Sequence, residues 1–137
     1  MKGVRKASFS FTKLIVDDEE AQAEYYHQVY GLEKLQRVAN DESAAGGAFR
    51  EVIMGSGDTP SSDSLVMFKF LDRHAPRDQE AILGFITEDL DALAERVVAH
   101  GGKLVNPIQS MPEHGVRVLF TTDPEGRLSE NVELING

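Results

Sequence analysis

The sequence predicts an α+β fold in which two tandem βαβββ modules form a cupped mixed sheet, and three observations carry that prediction. Phe11-Thr12-Lys13-Leu14-Ile15-Val16-Asp17-Asp18 and Ile82-Leu83-Gly84-Phe85-Ile86-Thr87-Glu88-Asp89 share one pattern at a constant offset of 71 residues (11 to 82, 14 to 85, 18 to 89). In each copy an apolar strand runs into an acidic pair able to open a helix. A glycine closes each helical stretch at the same offset, Gly31 and Gly102.

Each element follows from local pattern. Residues 7–16 alternate as a strand, with Phe9, Phe11 and Ile15 on one side and Leu14 and Val16 on the other. Asp17 and Asp18 suit a helix start, and Glu20 stands three residues after Asp17 as in a capping box. Ala21, Tyr25 and Val29 then share one helical stripe up to Gly31. Strands are expected over 33–39, 48–54 and 65–70, with a long Gly/Ser/Pro/Asp turn over 55–64. The polar, Pro-containing stretch 71–78 reads as a linker between a first module, 7–70, and a second, 79–137, in one domain of residues 1–137. The second module repeats the order. A strand covers 80–87, and Leu90, Leu93, Ala94, Val97 and Gly101 mark an amphipathic helix. Strands follow over 103–108, 116–121 and 128–135, the last two joined by Asp123-Pro124-Glu125-Gly126. A helix covers one face of such a sheet, so two sheets curling together leave a cup between their uncovered faces.

Composition narrows the function classes. The net charge of −9 opposes nucleic-acid binding, which needs clustered Lys and Arg. No apolar run approaches the ~20 residues of a membrane span, and no membrane partner is expected. The start, Met1-Lys2-Gly3-Val4-Arg5-Lys6, lacks the apolar core of a signal peptide, which points to the cytoplasm. Without cysteine there is no disulfide framework and no thiolate chemistry.

The module order, the Asp-Pro-Glu-Gly turn, Tyr25-Tyr26 ahead of Val29-Tyr30-Gly31-Leu32, and the ending Val132-Glu133-Leu134-Ile135 resemble the vicinal oxygen chelate superfamily. That group includes glyoxalase I, bleomycin-resistance proteins, fosfomycin-resistance enzymes, methylmalonyl-CoA epimerase and extradiol dioxygenases. The resemblance spans roughly Phe9 to Ile135 and implies a glyoxalase-like fold, which many reactions share. For catalytic members it implies one divalent metal on four side chains, two from each half. The first and third ligands, usually His or Gln, fall here on Phe11 and Ile82. The second falls at or next to Met67. The fourth is a Glu on the last strand: spacing from Asp123 favours Glu130, whereas strand alternation favours Glu133, which ranks first. Phe and Ile carry no donor, and a thioether suits soft metals, so no metal and no other cofactor is expected. None of His27, His74, His100 and His114 falls on a predicted cup strand.

Alternation then places Phe9, Phe11, Ile15, Leu65, Met67, Ile82 and Ile86 in the cup, with Lys13 and Lys69 among them. These residues suit either a ligand pocket or the packed interior of a small barrel. The lysines reach solvent, pair with Glu133 or Glu130, or bind an anion. Arg117, with Arg50 on the corresponding strand of the first module, is a further anion contact. The expected function is a metal-free binding protein of the bleomycin-resistance type. It would hold a small aromatic or amphipathic ligand, and a homodimer is the expected assembly. The alternative is a glyoxalase-like lyase or related enzyme that depends on metal or works through Glu133 or Glu130.

Overall fold

The computed structural model describes residues 6–57 and 63–135; the first five residues, part of the expected turn at 55–64, and the last two residues lie outside that range. The elements run β1 (Phe11–Ile15), α1 (Glu19–Tyr30), β2 (Glu33–Asn40), β3 (Phe49–Gly55), β4 (Ser64–Phe70), β5 (Leu83–Thr87), α2 (Leu90–Ala99), β6 (Lys103–Leu104), β7 (Gln109–Met111), a 3-10 turn at Pro112–His114, β8 (Val116–Thr122) and β9 (Leu128–Leu134). The first half is the predicted βαβββ, and the second repeats that order with one additional short strand, β7. The first sheet is β1-β4-β3-β2 and the second β5-β9-β8-β6, with β7 also paired to β8. In each, the first strand lies parallel to the last and the other pairs are antiparallel.

Boundaries differ where backbone pairing decides them. The first strand begins at Phe11 and the fifth at Leu83, so the connection between modules runs over 71–82. Of the strand expected at 103–108 only Lys103–Leu104 forms, as β6. Pairing stops ahead of Pro107, which has no N–H for a ladder, and a short strand not expected from the sequence, β7, follows at Gln109–Met111.

Both helices start as the acidic pairs predict. Asp18 accepts a hydrogen bond from Ala21 N at 2.9 Å and Asp89 from Ala92 N at 3.0 Å. Asp17 instead accepts from Ala75 N at 2.7 Å and anchors the connection, while Glu20 pairs with Arg37 rather than closing a capping box. The buried face of α1 is Gln22, Ala23, Tyr25, Tyr26 and Val29; Ala21 is exposed.

One core joins the modules. Val52, Met54, Leu65 and Met67 of the first sheet share one core cluster with Leu90, Leu93 and Val97 of α2, Leu119 of β8 and the tyrosines of α1. Tyr30 stacks on Phe85 with ring centroids 3.7 Å apart. The buried Asp123 carboxylate accepts from Gln22 Nε2 and from Tyr26 Oη, both at 2.8 Å, and its other oxygen accepts from the N–H groups of Glu125 and Arg127. Burial and the Asp123 charge together push the Tyr26 hydroxyl well above its ordinary pKa, which keeps it a neutral donor. Asn131 accepts from Tyr30 Oη at 2.7 Å and donates to Leu119 O and Thr121 Oγ1.

The two glycines of the repeat are not equivalent. Gly31 ends α1 at φ 76°, and the left-handed residue after α2 is Gly101, at φ 94°. Gly102 is required for a different reason: a Cβ there would lie 2.6 Å from Tyr25 Oη and 2.7 Å from Thr122 O. Replacing Gly102 with Ala is therefore expected to cost about 1–3 kcal/mol through overpacking, measured by urea unfolding. Tyr26→Phe removes a donor to a buried carboxylate, and the same assay should show a loss of about 1.5–3 kcal/mol.

Candidate functional site

The helices cover one face of each sheet and leave the other open. Registered partners project to the same face, which fixes the membership of each. On the first sheet Lys13 is registered with Val66 and Ile15 with Phe68, and Phe68 in turn with Glu51. Lys13 Nζ lies 2.7 Å from Glu51 Oε1 and 5.0 Å from the centre of the Phe68 ring. Phe49 stacks on Phe68 at 5.0 Å with planes 10° apart, and Phe70 meets Phe68 edge-on. The open face of the first sheet is thus an aromatic ladder crossed by one neutralised ion pair.

Of the residues predicted to line the cup, Phe11, Lys13 and Ile15 belong to this open face, and Phe9 continues their alternation. Phe9 is 78% and Phe11 54% exposed. Leu65, Met67 and Lys69 do not belong to it. Leu65 and Met67 lie in the core between sheet and helices, Met67 at 0% exposure. Lys69 is registered with Arg50, which pairs with Glu19 of α1, and its charge acts on Asp17. The reason is phase. β4 is apolar on both faces, so alternation could not say which set faces the helices; Val66 and Phe68 take the positions assigned to its neighbours.

The second sheet shows the same inversion on its last strand. Glu130 is registered with Gly84 and Phe120, and Val132 with Ile86 and Val118, all on the open face. Ile86 is 73% exposed, and Ile82, next in that alternation, is 53% exposed. Glu133, ranked first for the cup, lies on the helix face. Its Oε1 accepts from Leu90 N at 2.7 Å and its Oε2 lies 3.1 Å from Arg117 Nη1. The α2 N-terminus and the guanidinium hold its carboxyl below the ordinary value. Arg117 is occupied by Glu133 and Asp91 on that same side, so it too is not presented to the cup. Arg50, paired with Glu19, repeats this strand-to-helix arrangement in the first module. The polar residues Ser129 and Asn131 face inward because buried partners satisfy them, which turns Val132 and Leu134 outward.

The four positions at which the resemblance places metal ligands are therefore Phe11, Val66 or Phe68, Ile82 and Glu130. Three are hydrocarbon, and no group of three or more His, Asp or Glu able to hold a metal ion exists among the described residues. This donor set does not fit a divalent metal. The histidines lie elsewhere. His27 Nδ1 is 2.8 Å from Leu32 O and so carries its proton there, His74 is exposed beside Asp17, His100 ends α2, and His114 sits in the 3-10 turn.

A separate groove of about 510 Å³ lies between β1 and the start of β9 under residues 75–81. Gln79 straps that segment to β9, accepting from Leu128 N at 2.7 Å and donating to Leu128 O at 2.8 Å. Lys13 and Ile15 are the predicted site residues that reach it.

Two sheets, each with a helix-covered face and an open face and built by a repeated βαβββ unit, define the fold class. The sequence profile of the Glyoxalase/Bleomycin resistance protein/Dioxygenase superfamily matches residues 8–130, and the chain belongs to that superfamily. Solved structures agree on the fold. The V278E mutant of glyoxalase I from Zea mays is similar at TM-score 0.76 and 19% identity over 90% of this chain. This chain spans 45% of that enzyme's length. A glyoxalase family protein from Bacillus cereus matches at TM-score 0.70 and 18% identity, covering 98% of this chain and 97% of its own. TioX from Micromonospora sp. ML1 matches at TM-score 0.64 and 20% identity, covering 94% and 100%. No curated protein matches the chain.

Glu133→Gln tests the assigned orientation. A carboxyl held below its ordinary 4.5 in the folded state contributes stability that is whole above that pH and is lost as pH falls through the depressed value. The variant should be less stable at neutral pH and show a shallower loss on acidification below about pH 4.5, followed by circular dichroism.

Proposed function

We propose that the chain is a binding protein that holds a small aromatic or amphipathic molecule against its open sheet faces without a metal or other cofactor. The observation that carries this reading is the replacement of donors by hydrocarbon at Phe11 and Ile82, beside the aromatic ladder of Phe49, Phe68 and Phe70. Phe49 and Phe70, half-buried and packed on the buried Phe68, offer a planar ligand ring surfaces of defined geometry. Ligand-binding roles accordingly fall on Phe9, Phe11, Lys13, Ile15, Ile82 and Ile86.

A homodimer is part of this reading. The large apolar residues exposed on the two faces include repeat-related positions, Phe11 on β1 and Ile82 just ahead of β5, and continue through Ile86 and Leu134. A second copy related by a two-fold axis can set its second sheet against the first sheet of its partner, covering both faces and closing a cup around the ligand. The acidic balance and the lack of clustered Lys and Arg continue to oppose a nucleic-acid partner. Among the described residues no helix is long and apolar enough to cross a membrane, which fits action away from a bilayer, and the cytoplasm is the proposed location.

A second reading is favoured by Glu130, a carboxylate on the open face without a hydrogen bond or ion pair among the described residues. It would make the protein a glyoxalase-like lyase or related enzyme using Glu130. Metal analysis of protein purified without chelator separates the two: stoichiometric Ni²⁺, Zn²⁺ or Mn²⁺ lost on Glu130→Gln would overturn the metal-free reading. For the assembly, light scattering should give a dimer for the wild type and a monomer for Ile86→Glu, which places a charge within the apolar interface.

A further inference from the structure

We infer that Glu130, with the notch above Gly84, is the subsite that takes a cationic group of the ligand. This deepens the proposed function and rests on it. Glu130 lies between Gly84 on β5 and Phe120 on β8, its registered neighbours on either side. A Cβ added at Gly84 would meet nothing within 4 Å, so one flank of the carboxylate is open space. On the other flank stands the half-buried Phe120 of β8, two strands from Gly84.

The other open-face carboxylate at mid-strand is already neutralised, since Glu51 is paired with Lys13. Glu130 has no such partner among the described residues. Of the cations of its own sheet, Lys103 stands two strands away on β6, and Arg117 of the adjacent β8 is engaged by Glu133 and Asp91 on the helix face. The repeat sharpens the contrast. Lys13 and Gly84 are equivalent positions, 71 apart, so the first sheet carries its own cation where the second leaves a gap beside a carboxylate. An ammonium, amidinium or aromatic iminium group entering that gap would gain a charge-assisted contact with Glu130. A divalent metal is disfavoured there because the other three positions supply no donor.

Two dyes of similar size provide the test: cationic thioflavin T and neutral N-phenyl-1-naphthylamine, titrated by fluorescence against the full-length chain. Wild type is expected to prefer the cationic dye. Glu130→Gln should weaken thioflavin T by about tenfold, or about 1.4 kcal/mol, and leave the neutral dye within about twofold. Gly84→Val, which fills the notch, should weaken the cationic dye by a similar factor while circular dichroism confirms the fold. An unchanged preference in Glu130→Gln overturns the inference, as does an equal loss of both dyes. Thermal stabilisation by Mn²⁺ or Ni²⁺ that disappears in Glu130→Gln would also overturn it, by making the carboxylate a metal ligand. Failure of the cationic dye alone to bind wild type also overturns the inference, whereas failure of both dyes would instead reject the proposed function on which it stands.

Discussion

The structure depends on one buried carboxylate. Asp123 closes the β8–β9 turn with one oxygen and holds Gln22 and Tyr26 of α1 with the other. A buried charge without such donors would be costly, and here the donors come from the other module. The same turn extends the brace: Glu125 accepts from the N–H groups of Asp17 and Asp18 at the α1 N-terminus, and the Arg127 guanidinium bonds Ile15 O. A turn of the second module therefore sets where the first strand ends and the first helix begins.

That brace determines which surfaces remain for function. With α1 tied to β8 and β9, the helix faces of both sheets are used up in one shared core. Each sheet is left with its other face free of helices, and the exposed apolar residues there, Phe9, Phe11, Ile82, Ile86 and Leu134, are the ones a ligand or a second copy can reach. The polar inward positions of β9 belong to the same economy of contacts. Asn131 is buried at 0% exposure because Tyr30 and Thr121 satisfy it. Its neighbours on the strand are turned outward as a consequence, Glu130 among them.

Much of this was legible in the chain itself. The repeat located both modules, both helices and their Asp caps, because strand-to-helix transitions are governed by local hydrogen-bonding groups. It also located Phe11 and Ile82 as equivalent positions without donor atoms. The errors concentrate on β4 and β9. In β4, apolar residues occupy both faces, so Leu65 and Met67 could not be told from Val66 and Phe68 by alternation. In β9 the usual rule runs backwards: alternation that favours Glu133 for the cup would turn the apolar Val132 and Leu134 to the helices, whereas they share the open face with Glu130. Glu133 faces inward because the helix α2 N-terminus and Arg117 satisfy its charge, a compensation visible only in three dimensions.

The amino-acid sequence by itself determined the module order, the helix starts, the absence of metal donors at Phe11 and Ile82, and the open-face placement of β1. These are local or repeat-based properties, set by spacing and side-chain chemistry. Only the tertiary structure decided which of Glu130 and Glu133 stands on the open face. A strand that is amphipathic on both sides has two self-consistent registers. The choice between them is made by partners distant in the chain: Tyr30, which satisfies Asn131, and Leu90, which receives Glu133.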